Sequence, residues 1–226
     1  MKKIFLIISM ILIVIFLSVL LFIKNDTKIQ VKFDKCVDGD TAWFIRNNKS
    51  IKYRFLGIDT MELNTEFGKK TSEYVCNLIK NSNDIRIEYS NVGEIKDKYN
   101  RELVYVYIDG VLLQEKLISE GFAKIKYIYA KYEYIDNLVN IQNSAKLNKL
   151  GIWENYKETP LNKYHKIKLD IDGKKEEIKV LKDSIYIIDN PTKIGCKFIG
   201  WKNNNKLFDM TTKINKDYNL KAEFVC

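Results

Sequence analysis

The chain has 226 residues, of which 46% are hydrophobic and 30% charged, as is typical of a globular protein with one large or two small domains. Its formal net charge of +9 would suit an anionic partner such as nucleic acid, yet residues 27–160 carry 21 basic and 19 acidic residues and are nearly neutral. His165 is the single histidine, which excludes zinc sites built on several histidines and argues against triads and nucleases that depend on histidine. This composition favours hydrolase chemistry that uses carboxylates, arginines and a metal that prefers oxygen ligands.

The first 26 residues predict a membrane signal. Lys2 and Lys3 precede residues 4–23, an uncharged segment in which Ser9 and Ser18 are the only polar residues. A helix of this length would span ~30 Å, the thickness of the hydrocarbon core of a bilayer. We predict a retained transmembrane helix within residues 1–26, with a cleaved signal peptide as the alternative. In both cases the remaining chain would lie on the extracellular side of the membrane.

Residues 27–154 predict an α+β domain. Alternating or β-rich segments predict strands at residues 30–36, 41–45, 51–58, 85–89 and 103–108. Helical spacing predicts helices over residues 66–80, 111–120 and 134–150. Gly121 and Gly151 follow the last two helices, as C-terminal capping glycines do. Five strands and three helices in mixed order favour an α+β domain built on a small barrel.

The C-terminal part of the chain has a different character. Residues 155–164 are polar, include Pro160 and predict a linker. Residues 165–226 predict a small, separate β-rich module without a helix, in which Asp172 and Gly173 form the turn of a hairpin. Residues 161–226 carry 14 basic and 9 acidic residues, a net charge of +5, which could help to hold nucleic acid or could form a solvated face.

Three short clusters, residues 37–41, 53–62 and 97–101, hold most of the side chains that could carry chemistry. Taken singly, each has an ordinary explanation as a turn, a surface ion pair or an exposed loop. Together they provide what phosphoryl transfer needs, because they supply hard oxygen ligands for calcium, guanidinium groups for phosphate and a carboxylate that could act on water.

The order and spacing of these residues resemble the thermonuclease, or staphylococcal-nuclease-like, family over roughly residues 28–154. The resemblance also includes residues 121–124 (Gly-Phe-Ala-Lys) and 150–153 (Leu-Gly-Ile-Trp). It implies an OB-type five-stranded barrel with three helices, and a calcium-dependent nuclease that cuts DNA and RNA and leaves 3′-phosphates. We expect a monomeric hydrolase anchored at the extracellular side of a bacterial membrane, or secreted if the N-terminal segment is cleaved.

The resemblance assigns roles to ten residues. It implies that the calcium ligands are Asp40, Asp59 and the backbone carbonyl of Thr60. It implies that the catalytic residues are Arg54 and Arg101, which bind phosphate, and Glu62, which acts on the attacking water. It implies that the terminal phosphate and base of the nucleotide contact Lys98, Tyr99, Tyr127 and Tyr129.

The sequence departs from the family pattern at some positions. Met61 stands where the family usually has proline, which could loosen the placement of Glu62, and the segment that follows is short. Asn100 replaces a usual glycine, a mild change because asparagine tolerates a left-handed backbone. The tyrosines at 127, 129, 132 and 134 could stack on bases or could simply pack. The alternative function is a non-catalytic OB-type module that binds nucleic acid or a surface partner.

Two expectations concern the C-terminal module. It resembles the internalin-type B repeat, a β-grasp-like unit used for adhesion or spacing, and could therefore bind a surface partner. The resemblance places in its core Phe198, Trp201, Phe208, Leu220, Ala222 and Phe224. The four cysteines allow three complete pairings; we predict a Cys196–Cys226 bond, with four unpaired thiols as the alternative.

Overall fold

The computed structural model describes residues 27–157 and 164–226. In these two ranges no helix is both long and apolar enough to cross a bilayer. The predicted membrane segment, residues 1–26, lies outside the described residues.

A closed five-stranded barrel forms the centre of the first domain. Its strands are β1 (Ile29–Cys36), β2 (Thr41–Arg46), β3 (Lys49–Phe55), β5 (Ile85–Glu88) and β6 (Glu102–Ile108). Strand β1 pairs with β2 and β5, β2 pairs with β3, and β5 pairs with β6, all antiparallel. A parallel pairing of β3 with β6 closes the circle. The expected mixed five-stranded barrel of OB type is therefore confirmed.

Three short strands and three helices complete this domain. The strands are β4 (Ile58–Thr60), β7 (Val111–Leu112) and β8 (Ala123–Ile125), and β4 pairs with β8. The helices are α1 (Glu66–Lys80), α2 (Leu113–Ser119) and α3 (Ile135–Leu147). Apolar side chains from the barrel and the helices form one continuous core, with Phe44, Phe55 and Ile87 fully buried.

Helix α1 has the bounds that its sequence predicts. The Thr65 hydroxyl accepts a hydrogen bond from the Gly68 backbone N–H at 2.9 Å and so caps the N-terminus. Thr71, Val75 and Ile79 recur every four residues and are buried, which places one face of the helix against the core.

Helices α2 and α3 are shorter than their patterns predict. Helix α2 begins at Leu113, not Val111, because Val111 and Leu112 pair with β6 across the Asp109–Gly110 turn. Helix α3 ends at Leu147, three residues before the predicted end. After α3 the chain passes close to the chain after α2: the Ile152 backbone N–H donates to the Gly121 carbonyl at 3.0 Å.

Glycine is required at two positions where these segments meet, because a side chain at either position would clash with the backbone of the other segment. A Cβ atom at Gly121 would lie 2.2 Å from the Leu150 carbonyl oxygen, and one at Gly151 would lie 2.3 Å from the Gly121 carbonyl oxygen. Both glycines also have positive φ, +73° and +51°. The Gly-Phe-Ala-Lys and Leu-Gly-Ile-Trp segments therefore meet as one packing unit.

The C-terminal module is a five-stranded sheet. Its strands are β9 (Tyr164–Ile171), β10 (Lys174–Leu181), β11 (Lys197–Asn203), β12 (Lys206–Leu207) and β13 (Tyr218–Val225). They lie in the order β10-β9-β13-β11-β12, with β9 parallel to β13. The predicted hairpin at Asp172–Gly173 joins β9 to β10, and residues 164–226 contain no helix. Of the predicted core residues, Phe224 is partly buried and the others are buried. The resemblance to the internalin-type B repeat stays a prediction.

Two disulfide bonds join neighbouring elements. Cys196 and Cys226 link the start of β11 to the end of β13, which confirms the predicted bond. A second bond, Cys36–Cys76, links the end of β1 to α1; the sequence left the pairing of these two cysteines open.

We predict that the Cys36→Ser/Cys76→Ser double variant is less stable than the wild-type chain by about 4 kcal/mol. The bond closes a loop with a sequence separation of 40 residues, and the chain-entropy account assigns a loop of that size a stabilisation of about 4 kcal/mol. Denaturant unfolding of both proteins without reductant measures the difference. An unchanged unfolding midpoint would contradict the pairing, as would a Cys36–Cys196 peptide in a non-reduced digest.

Candidate active site

A cleft of about 560 Å³ opens at the side of the barrel where β3, β4 and the segments around residues 94–103 and 127–132 meet. All ten residues to which the sequence assigns a role line this cleft. They are Asp40, Arg54, Asp59, Thr60, Glu62, Lys98, Tyr99, Arg101, Tyr127 and Tyr129. One residue of the C-terminal module, Leu207, lines it too.

Asp40 lies immediately before β2 and is buried, with 7% of its surface exposed. Its Oδ2 atom accepts hydrogen bonds from the Thr60 backbone N–H at 3.0 Å and from the Thr60 hydroxyl at 3.1 Å. A Cβ at Gly39 would lie 2.8 Å from the side chains of both Thr60 and Thr71, so the glycine lets β4 and α1 approach Asp40 closely. Burial and the neighbouring Asp38 together raise the pKa of Asp40, against the opposing effect of Arg54.

Arg54 is held between two carboxylates. Its Nε atom lies 3.0 Å from Asp40 Oδ1, and its Nη2 atom lies 3.7 Å from Asp59 Oδ1. Its Nη1 atom donates to the Phe55 carbonyl at 2.7 Å. Since only 8% of the Arg54 side chain is exposed, a buried guanidinium points into the cleft in a fixed orientation.

Asp59 also contacts two lysines that the sequence analysis did not assign to the site. Lys124, its register partner across the β4–β8 pair, lies 3.5 Å away, and Lys126 lies 3.4 Å away. Burial alone would lower the pKa of Lys126, but Asp59 and the Tyr127 hydroxyl outweigh it and raise the pKa above its usual value. These lysines add positive charge at the edge of the cleft.

The donors around Asp40 and Asp59 are the kind that a hard dication such as Ca²⁺ prefers. Asp40, Asp59 and Thr60 line the same cleft, where Thr60 is hydrogen-bonded to Asp40 and follows Asp59 in β4. Within residues 27–157 and 164–226, no three Asp, Glu, His or Cys side chains form a metal-binding group. A calcium ion takes roughly six to eight oxygen ligands, so at this position water or substrate oxygens would supply the rest.

Arg101 lies at the end of a loop that Asp97 organises. One carboxylate oxygen of Asp97 accepts from the backbone N–H groups of Tyr99 and Arg101, and the other is 2.6 Å from both Nε and Nη2 of Arg101. Burial would raise the pKa of Asp97, but these hydrogen bonds outweigh it and hold the pKa below its usual range. Asn100 has φ +62°, which confirms that it takes the left-handed conformation.

Glu62 lines the cleft with an exposed side chain and an anchored backbone. Its carbonyl accepts from the backbone N–H of Thr65 at 3.0 Å and from the Thr65 hydroxyl at 2.8 Å. A Cβ at Gly68 would lie 2.0 Å from the same carbonyl oxygen. The start of α1 therefore holds Glu62 in place, although Met61 stands where a proline would stiffen the chain.

The aromatic residues divide into two groups. Tyr127 and Tyr99 are 41% and 68% exposed at the cleft, and each ring lies within 6 Å of an arginine, Arg54 or Arg101. Tyr132 is 3% exposed, and the Tyr134 hydroxyl donates to Glu88 at 2.8 Å, so these two pack. The packing interpretation therefore holds for Tyr132 and Tyr134, while base stacking by Tyr127 and Tyr129 stays a prediction.

The comparisons with known proteins agree with this geometry. A family model described as "Staphylococcal nuclease homologue" matches residues 52–155. The chain is 37% identical over 138 residues to Endonuclease YncB of Bacillus subtilis (strain 168), an alignment that covers 58% of this chain and 64% of that protein. It is 36% identical over 132 residues to the SPbeta prophage-derived endonuclease YokF of the same organism, with 55% and 44% covered.

The chain thus spans less than two thirds of the length of either Bacillus relative. It covers more of the Thermonuclease of Staphylococcus hyicus, to which it is 31% identical over 139 residues, with 59% of this chain and 80% of that protein aligned. Nine of the ten cleft residues with an assigned role lie within the matched residues 52–155, and Asp40 lies before them. The chain therefore belongs to the staphylococcal nuclease family.

Proposed function

We propose that this chain is a calcium-dependent nuclease that hydrolyses phosphodiester bonds in DNA and RNA and leaves 3′-phosphate ends. The observation that carries the proposal is the meeting of Arg54, Arg101 and Glu62 with two calcium-type carboxylates in a single cleft. The names endonuclease and thermonuclease of the aligned relatives support it.

The two arginines would act on the phosphate. Each guanidinium presents several N–H donors in a fixed plane that matches the oxygens of a phosphate, and each stays charged at any physiological pH. Arg54 is preplaced by Asp40 and Asp59, and Arg101 by Asp97. Because they need not reorganise as charge develops on the phosphate, they would stabilise the transition state more than the ground state.

Glu62 would accept the proton of the attacking water. As that proton leaves, the water oxygen forms a bond to phosphorus and the bond from phosphorus to the 5′ oxygen breaks. The 5′ oxygen then takes a proton from solvent, and the phosphate remains on the 3′ side. The exposed carboxylate of Glu62, on an anchored backbone, is suited to this transfer because it is open to water. Calcium bound by Asp40, Asp59 and the Thr60 carbonyl would supply further positive charge at the phosphate.

The proposal places the nuclease activity on the extracellular side of the membrane. Residues 4–23 are long and apolar enough to anchor the chain, and cleavage of that segment would release a secreted enzyme. Two disulfide bonds within the described residues support an oxidising compartment.

The proposal predicts digestion of single-stranded DNA and of RNA in calcium and no digestion in excess EGTA. The physical reason is that, without the cation, the carboxylates of Asp40 and Asp59 would repel the phosphate, and the charge that develops on it would lose its metal stabilisation. Gel analysis of the products measures cleavage, and phosphatase treatment of the products shows whether their 3′ ends carry a phosphate. Full activity in EGTA would refute the metal requirement, and binding without cleavage would favour the non-catalytic OB-type module.

Single-residue variants test the assigned roles. We expect Arg54→Ala and Arg101→Ala each to lower kcat about 100- to 1,000-fold, because each removes charge stabilisation in the transition state. We expect Glu62→Gln to lower kcat about 100-fold or more, because an amide cannot accept the proton.

The matched controls are Arg86→Ala and Glu73→Gln, which remove the same groups at positions outside the cleft lining. They should keep wild-type kcat, and thermal unfolding should show that every variant compared is folded. Wild-type turnover in Glu62→Gln would remove Glu62 from the mechanism.

A further inference from the structure

The segment that carries Tyr127 and Tyr129 is bonded to the C-terminal module. Asp209, in the loop after β12, accepts the backbone N–H of Tyr127 on one carboxylate oxygen and that of Ile128 on the other, both at 2.9 Å. Tyr127 has φ +61°, a left-handed conformation that is strained for a tyrosine. A charged acceptor on two successive N–H groups stabilises such a bend because both donors point the same way.

Backbone contacts continue this attachment along the segment. The Met210 N–H donates to the Ile128 carbonyl at 2.7 Å, and the Trp201 N–H donates to the Tyr129 carbonyl at 3.2 Å. A Cβ at Gly200 would lie 2.6 Å from the Tyr129 carbonyl oxygen, so the glycine permits this approach. The backbone of residues 128–129 and that of the C-terminal module therefore approach each other as closely as paired strands do.

A side-chain amide fixes the end of the segment. The side-chain oxygen Oδ1 of Asn190 accepts from the Lys131 backbone N–H at 2.6 Å, and the side-chain Nδ2 of Asn190 donates to the Lys131 backbone carbonyl at 2.7 Å. The C-terminal module therefore holds residues 127–131, the segment that brings Tyr127 and Tyr129 to the cleft. The module also contributes Leu207 to the cleft lining.

We propose that the C-terminal module is a built-in part of the nucleotide-binding side of the cleft. Asp209 is a positioning residue that fixes the backbone of Tyr127, and Leu207 is an apolar wall of the subsite that takes a planar, unpaired nucleobase. This inference rests on the proposed nuclease function for its choice of ligand. It assigns the module a role in substrate affinity, in place of the adhesion or spacing that its resemblance implies.

The test compares Asp209→Ala with Asp217→Ala in the full chain. Asp217 is a matched control because its carboxylate also accepts a hydrogen bond from a backbone N–H, that of Lys166, but does not touch residues 126–131. We expect Asp209→Ala to raise KM for a single-stranded DNA oligonucleotide about tenfold with kcat nearly unchanged, as the loss of a charge-assisted hydrogen bond allows. Asp217→Ala should leave both constants at the wild-type values.

Hydrogen exchange gives a second readout that does not depend on cleavage. The amides of Tyr127 and Ile128 should lose protection in Asp209→Ala and keep it in Asp217→Ala. Asp209→Asn keeps one acceptor oxygen, so it should change KM and the amide exchange in the same direction as Asp209→Ala but by smaller amounts. It replaces the alanine variant if that variant does not fold. Leu207→Ala should raise KM about fivefold without changing the exchange of these amides.

The outcomes separate the two proposals. A wild-type chain that does not cleave would refute the nuclease function, while oligonucleotide binding measured by fluorescence anisotropy and the amide exchange would still decide this inference. Equal KM and equal amide exchange for Asp209→Ala and Asp217→Ala would overturn it. So would wild-type oligonucleotide affinity in both Asp209→Ala and Leu207→Ala.

Discussion

The burial of one guanidinium between two carboxylates is the interaction on which the site depends. Arg54 and Asp40 are nearly covered, and charges without partners would be too costly to desolvate there. The pairing requires β2 beside β3, where Thr41 is the register partner of Arg54, and β4 close enough to bring Asp59 within reach. The barrel therefore has to be closed and in register before the site exists. The same two carboxylates are those proposed to hold calcium, so Arg54 and the cation would share them.

Around this buried group, short polar contacts fix three loops. Asp97 holds Arg101, the Thr65 cap with Gly68 holds the backbone of Glu62, and Asp209 holds Tyr127. Loops carry few apolar contacts, so directed hydrogen bonds are the means by which such segments reach a single conformation. Glu62 and Tyr127 keep exposed side chains on a fixed backbone, whereas Arg101 is partly buried and Asp97 holds its guanidinium directly.

Local patterns predicted the parts of the fold that local interactions determine. Helix α1 has its predicted bounds because its cap and its four-residue apolar spacing lie within the segment itself. The start of α2 was predicted two residues early because Val111 and Leu112 pair with β6, a contact that a helical pattern does not reveal. All ten assigned site residues line one cleft because the spacing of the family motif specifies that arrangement. Lys124, Lys126 and Leu207 were missed, since strand register and module docking bring them there from far along the chain.

Calcium binding to the full-length protein without nucleic acid, measured by isothermal titration calorimetry, tests most directly whether Arg54 and the cation share these carboxylates. The account predicts that Asp40→Asn binds Ca²⁺ much more weakly than the wild-type chain, because it removes a ligand charge. It predicts that Arg54→Ala binds Ca²⁺ at least as tightly as wild type, because the competing guanidinium is gone. Loss of calcium binding in a folded Arg54→Ala chain, or no binding to the wild-type chain, would contradict the account.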